Sequence, residues 1–405
     1  MREPIKWARN EMPKTKSEKK LPVMTQSDVE IIRRFHRSFP QYLQTPLVNL
    51  SRLAANFGIS GIFVKDESFR FDLNSFKVLG VSYAIAKYIA KKIGKEIHEL
   101  DYTALVSDET KQKSGDITFY AATDGNHGRA VAWAANKLRQ KSVVLMPKGS
   151  SRIRLQNIIN EGAEAGITDL NYDDTVRLAT KKASEDPNGV FLQGTAWEGY
   201  EEIPAWVMQG YGTMSCEAHE QLKEAGVEKP THIFLQAGVG SLAGSVASFF
   251  ADAFPDNPPL IAVLEASAAD CLYLSNKEGR LLKKEGDLST LMAGLSCGEA
   301  NILSWEILKN LAEFFVSVPD WVAARGMRVL ASPLKGDTGI ISGESGAATT
   351  GLLYTLLRDS EYKELREALK INADSVVLLF SSEGNTDPEK YLDVVWDGEY
   401  PSGNI

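Results

Sequence analysis

Residues 232–266 read HIFLQAGVGSLAGSVASFFADAFPDNPPLIAVLEA. His232–Gln236 is a short apolar run of strand length, Gly238 and Gly240 break it, and SLAGSVASFFADAF continues as a helix. A second apolar run, PLIAVLEA (259–266), follows. Uninterrupted apolar strands joined through a helix belong to a parallel sheet buried on both faces. Working outward, the alternation recurs. GIFVK (61–65) precedes the helical pattern VSYAIAKYIAKKIG (81–94), and SVVLM (142–146) precedes SRIRLQNIINEGAE (151–164). Short strands follow at FLQ near 191 and at SVVLLF (375–380). The class is α/β with mostly parallel sheets flanked by helices. Near the start, Val29, Ile32, Phe35 and Phe39 follow Ser27 and Asp28 at the spacing of a capped amphipathic helix.

The 405 residues suggest two or three domains or two interleaved lobes. With 45 Lys plus Arg against 53 Asp plus Glu, the formal charge is −8, the wrong sign for nucleic-acid binding. No apolar stretch is long enough to span a bilayer, and the first residues lack a signal-peptide core, so a cytoplasmic protein with no membrane partner is expected. Cys216, Cys271 and Cys297 form no CxxC pair and the five histidines lie far apart, so no metal site is expected.

Three stretches carry candidate chemistry. In Gly238-Val239-Gly240-Ser241-Leu242, between strand and helix, glycines allow close approach and helix-start amides attract phosphate. The same loop also fits a dinucleotide pattern through Gly238, Gly240 and Ala243, with Glu265 as a ribose-binding acid. A glycine turn serving packing alone is the plainer alternative. In Thr123-Asp124-Gly125-Asn126-His127-Gly128, ahead of the helical run RAVAWAANKL, the amides suit a carboxylate, and Asp124 is either an acid–base group or an N-cap. In Asn74-Ser75-Phe76-Lys77, a lysine among apolar neighbours has its charged form disfavoured, as a Schiff-base nucleophile requires, although a surface lysine with a buried stem has the same signature.

The order of these stretches, with Asn126 and Gly238 standing 49 and 161 residues after Lys77 and Ser381-Ser382-Glu383-Gly384-Asn385 near the end, resembles fold type II pyridoxal-phosphate enzymes. Finer blocks are similar to the diaminopropionate ammonia-lyases: NSFKVLG, TDGNHGRAVAWAA, LNYDDTVRL, TAWEGY, LQAGVG, IISGESGA and VVWDGEY. The likeness runs from about residue 28 to 400. It implies two open twisted sheets, with a smaller lobe at 84–190 inserted in a larger one made of 1–83 and 191–405, and a homodimer.

It further implies that Lys77, beside Phe76, holds pyridoxal 5'-phosphate covalently and that Asn126 bonds its phenolic oxygen. Residues 238–242 would hold the phosphate, and Ser382 would face the ring nitrogen. Thr123, Asp124, Gly125 and His127 would bind the substrate. Lys77 and Asp124 would act as bases on opposite faces, eliminating ammonia from D- or L-2,3-diaminopropionate to give pyruvate. Glu344 matches an acid of the family near the cofactor. Cys271 and Cys297 fall in matching blocks, and two reduced thiols are expected over a bridge. One departure is Gly194, where the family carries an aspartate, and it opens two alternatives, a serine/threonine-type hydroxy amino acid dehydratase and a binding protein without turnover. The glycine pattern of Gly238, Gly240 and Ala243 leaves a third, an NAD-dependent oxidoreductase if no pyridoxal phosphate is bound.

Overall fold

A computed structural model of the chain describes residues 2–12, 14, 24–123 and 125–403. Two compact units emerge: Met1–Gln26 with Gln44–Phe69 and Met214–Ile405, and Ser27–Leu43 with Arg70–Thr213. The span 84–190 drawn from sequence falls inside the long segment of the second unit.

The first unit is built on seven strands: β1 (Lys6–Arg9), β2 (Leu47–Asn49), β3 (Gly61–Asp66), β8 (His232–Gln236), β9 (Leu260–Ala266), β10 (Phe314–Val318) and β11 (Val376–Ser381). Their order is β1-β10-β9-β8-β11-β3-β2. The inner five run parallel, while β1 and β2 pair antiparallel at the two edges. The inner strands are buried almost throughout, which is why their sequences are apolar without alternation. The edge strand β1 instead ends in Lys6 and Arg9, charges that discourage pairing with another chain.

Against this sheet the helices Asp320–Ala331 and Glu344–Arg358 meet backbone to backbone. A Cβ on Gly351 would stand 1.9 Å from the Val322 carbonyl oxygen, and one on Gly326 2.0 Å from that of Ala347. Because main chain cannot swing aside as a side chain does, Gly351→Ala is expected to cost at least about 3 kcal/mol, the upper end of ordinary overpacking. Urea unfolding reads this, with Gly166→Ala as the control, since among the described residues nothing lies within 4 Å of a Cβ there. A midpoint shift no larger than the control's would show that the helix pair yields.

The second unit carries a four-stranded, all-parallel sheet of order β6-β5-β4-β7, from β4 (Thr118–Ala122), β5 (Lys141–Met146), β6 (Glu164–Ile167) and β7 (Gly189–Phe191). The helix expected over 151–164 ends at Asn160, because Gly162 takes φ +98° and Glu164 already opens β6. Val29, Ile32 and Phe35 are buried on the helix Gln26–Arg37, as their spacing requires. The helix Lys77–Lys92 lies closely on the helix Glu202–Gly210, where a Cβ on Gly210 would sit 2.4 Å from the Leu79 carbonyl. His36, fully buried, adds a brace to that helix, with Nε2 2.9 Å from Leu79 O and Nδ1 2.7 Å from Thr213 Oγ1.

Candidate active site

In the second unit Lys77 is the first residue of its helix. The sharp approach to it is made by Phe71, Asp72 and Asn74, all with positive φ (51°, 58° and 60°), a strained path that side-chain-bearing residues adopt only where packing holds them. The half-buried Lys77 side chain carries its Nζ 5.2 Å from the centroid of the Phe76 ring. That ring is itself buried against Tyr211 at 4.6 Å. Helix contacts on one side and an aromatic wall on the other thus aim one amine.

The loop after β4 is organised by Thr123. Its Oγ1 accepts from the Gly125 amide at 3.0 Å and the Gly128 amide at 3.2 Å, while its own amide donates to Leu145 O. Gly128 cannot carry a side chain, since a Cβ would stand 2.2 Å from Thr123 Cγ2. Asn126 opens the helix Asn126–Lys137 and His127 follows it. Asp124 lies outside the described residues. The His127 ring bonds through Nε2 to Leu192 O at 3.0 Å, which makes Nε2 the protonated nitrogen of the neutral ring. Burial first, and then the Lys77 ammonium, push this imidazole down to about 4.

Unfolded, the imidazole titrates near 6.5, so between roughly pH 4 and 6.5 the unfolded chain binds more protons than the folded one. The stability that neutral His127 lends is complete above pH 6.5 and is lost as the pH falls toward 4. A ring titration by NMR is expected to find no midpoint above 5, and Lys77→Ala should move it upward by removing the neighbouring cation. A midpoint near 6.5 in both proteins would contradict the buried, Lys77-coupled ring.

In the first unit, β8 and β11 are registered only at His232↔Val377 and Ile233↔Leu378, whereas β8 matches β9 at five positions and β11 matches β3 at six. Their C-terminal ends therefore separate, and a crevice at the carboxyl ends of parallel strands is where open α/β sheets take ligands. One lip of it is the glycine loop. Gly240 adopts φ +90°, and a Cβ on Gly238 would press on Gly294 O at 3.0 Å and Cys297 Sγ at 3.1 Å. The loop leads into the almost entirely buried helix Ser241–Ala253. Asn301, fully buried and not read from sequence, braces it: its amide donates to Val239 O at 2.8 Å and its Nδ2 to Ser241 Oγ at 2.9 Å. Its Oδ1 meanwhile caps the helix Ile302–Leu311. The other lip is the end of β11. Ser382 is buried and its Oγ accepts from Gln236 Nε2 at 2.9 Å, and Glu383 Oε1 accepts from the Ser345 amide at 3.0 Å. Glu344, also buried, starts the same helix as Ser345.

The residues present fit a phosphorylated pyridine. The glycine cradle is tight against any added side chain, a thirteen-residue helix starts at it, and two buried polar atoms beside the loops, Gln236 Oε1 and Ser345 Oγ, have no partner among the described residues. They do not suit a dinucleotide. Glu265, the acid such a site needs for the ribose, is fully buried and accepts from the Leu272 and Tyr273 amides at 2.8 and 2.7 Å, capping the helix Cys271–Glu278. Burial pushes its carboxyl up to about 8. No disulfide joins Cys271 and Cys297. Burial above all, and then Glu265 and Cys297, raise the Cys271 thiol. Among the described residues no helix is long and apolar enough to cross a membrane.

The family model for pyridoxal-phosphate dependent enzymes matches residues 39–382. A diaminopropionate ammonia-lyase of Salmonella typhimurium is 52% identical over 367 residues, covering 90% of this chain and 91% of its own. The crystal structure of diaminopropionate ammonia lyase from Escherichia coli in complex with D-serine superposes with a TM-score of 0.92 at 44% identity, covering 98% of each chain. The same enzyme with an aminoacrylate-PLP azomethine reaction intermediate gives 0.88 at 45%, again over 98% of each. The chain belongs to the diaminopropionate ammonia-lyase family. It is a pyridoxal-phosphate dependent enzyme of fold type II.

Two stretches of the sequence, NYDDT and TAWEGY, converge on one segment of the second unit. Tyr172 Oη lies 2.8 Å from Gln193 Nε2, and Tyr200 Oη accepts from the Gln193 amide at 2.9 Å and donates to Phe191 O at 2.9 Å. With Leu192 O held by His127, residues 191–193 are clasped from three sides. Gly194 follows directly. Among the described residues a Cβ there would meet only Val207 Cγ1, at 3.8 Å.

Proposed function

We propose that this chain eliminates ammonia from 2,3-diaminopropionate, giving pyruvate and two molecules of ammonia for each molecule of water consumed. What carries the reading is a glycine loop with left-handed Gly240 and a helix-initial Lys77 in a chain 52% identical to a named lyase. Bound pyridoxal phosphate draws electrons from the substrate's Cα and so makes its proton removable. Lys77 supplies the amine that holds the cofactor covalently and afterwards serves as a base on one face of Cα. Residues 238–242 hold the phosphate, Ser382 donates to the ring nitrogen, Asn126 bonds the phenolic oxygen, and the 123–127 loop takes the substrate carboxylate. His127, neutral at assay pH, keeps positive charge away from the Cα proton's path and fixes Leu192. The smaller lobe is assigned to 84–190, the working form is a homodimer, and the compartment is the cytoplasm.

Asp124 is assigned as the base for the opposite face, so one site would accept both enantiomers. The test follows pyruvate and ammonia from D- and from L-diaminopropionate, with serine and threonine alongside. Two ammonia per pyruvate is expected on diaminopropionate, and Asp124→Asn should lower kcat on one enantiomer at least roughly tenfold more than on the other. Equal loss on both would remove Asp124 from a face-specific role. Turnover of serine or threonine without turnover of diaminopropionate would replace the substrate assignment with the dehydratase one.

A further inference from the structure

Where the β8–β11 ladder ends, a side chain takes over its hydrogen bonding. Gln236, the last residue of β8, is 2% exposed and reaches across the separating strands, its Nε2 donating to Phe380 O at 2.8 Å and to Ser382 Oγ at 2.9 Å. A carbonyl accepts only, so Phe380 O fixes which end of the amide faces β11: it must be the NH2. The Ser382 hydroxyl is thereby made an acceptor toward Gln236, and its own proton has no protein partner among the described residues. That proton has to leave in another direction.

We propose that Gln236 is a positioning residue that commits the Ser382 proton to the ring nitrogen of pyridoxal phosphate. This rests on the reading that Ser382 faces that nitrogen, and it adds the group that decides the hydroxyl's polarity. A serine left to rotate would donate at some times and accept at others; one held as an acceptor from inside donates outward only. The ring nitrogen then meets a neutral donor at every turnover and stays unprotonated. Gln236 also immediately precedes the phosphate loop, so one residue ties the place of the phosphate to the polarity at the far side of the ring.

The test compares holoenzymes of the native sequence, Gln236→Met, Ser382→Ala and the double variant. The readouts are the chemical shift of isotope-labelled ring nitrogen, the cofactor's visible band, its Kd, and kcat and KM. Gln236→Met is expected to move the nitrogen shift in the same direction as Ser382→Ala and to lower kcat roughly tenfold, with KM and cofactor Kd changed less than about threefold. In the Ser382→Ala background, Gln236→Met should move the nitrogen shift no further, because its effect runs through the hydroxyl. Gln236→Glu is the second variant, needed if the methionine protein does not fold. Above its own titration the carboxylate accepts from Ser382, reverses the hydroxyl, and should give the larger shift. An unmoved nitrogen in both Gln236 variants, with a moved one in Ser382→Ala, would overturn the proposal. An unmoved nitrogen in Ser382→Ala would overturn it at its premise and the Ser382 assignment with it.

Discussion

Lys77→Ala is expected to yield a folded, colourless protein that retains no borohydride-reducible cofactor and turns over diaminopropionate at least about 1,000-fold more slowly. The size of the loss follows from how little can stand in. The helix that begins at Lys77 carries three further lysines, two of them engaged elsewhere and the third at the far end of the helix. Lys87 Nζ lies over the Trp206 and Tyr83 rings, Lys91 pairs with Glu202 at 2.8 Å, and Lys92 is at the helix end. Stability should change little, since the side chain is half-buried and its contact with the Phe76 ring is worth about 1 kcal/mol at a partly exposed site. The His127 midpoint should rise in the same protein, which separates loss of the amine from misfolding. A yellow, active Lys77→Ala enzyme would remove the residue from its role.

The inner strands were legible because burial on both faces leaves no polar positions. HIFLQ occupies β8 to the residue, and GIFVK and SVVLLF fall within a residue of β3 and β11. Edge strands lack that signal. KWAR and LVN are short, half-exposed and antiparallel, and nothing in four or three residues announces a partner on a distant strand. The start of the lysine helix was placed late for a related reason. Asp72 and Asn74 take positive φ in the turn before it, and the helix begins at Lys77 rather than at the first clearly periodic residue.

Within the candidate site, the glycine stretches stand out in local sequence, whereas Lys77 is singled out by its order and spacing relative to them. Their supports were not legible. Asn301 reaches Ser241 across 60 residues, and Gln236 reaches Ser382 across 146. A buried amide looks the same in sequence whether it caps a helix or aims a hydroxyl. A weak signal existed for Asn301, since it precedes the apolar ILSWEIL and so reads as an N-cap. For Gln236 the only hint is a polar residue ending an otherwise apolar strand.

The second large effect is expected at Lys65, on the β3 segment that lies against the end of β11. Its register partner is Phe380, two residues before Ser382. The ammonium is fully buried and donates to Thr45 O at 2.7 Å, Glu217 Oε2 at 2.7 Å and Gln221 Oε1 at 2.8 Å. Glu217 and Glu67 are fully buried too, and Thr45 Oγ1 donates to Glu67 at 2.7 Å. Such a pair contributes little net stability against a well-packed apolar equivalent, because both ions are desolvated, but breaking it leaves the buried Glu217 carboxylate without the Lys65 ammonium. Lys65→Met is therefore expected to cost about 3–5 kcal/mol in urea unfolding, far beyond a surface ion pair such as Lys113–Glu109. Adding Glu217→Gln removes the stranded charge and should recover at least half of the loss, a coupling that a simple packing defect at residue 65 cannot produce. Additive losses in the double variant would show that Lys65 acts through its volume rather than its charge. Because β3 pairs with β11, the single variant should also loosen the cofactor, and the double variant should tighten it again, so the ion pair's contribution is read in cofactor Kd as well as in the unfolding curve.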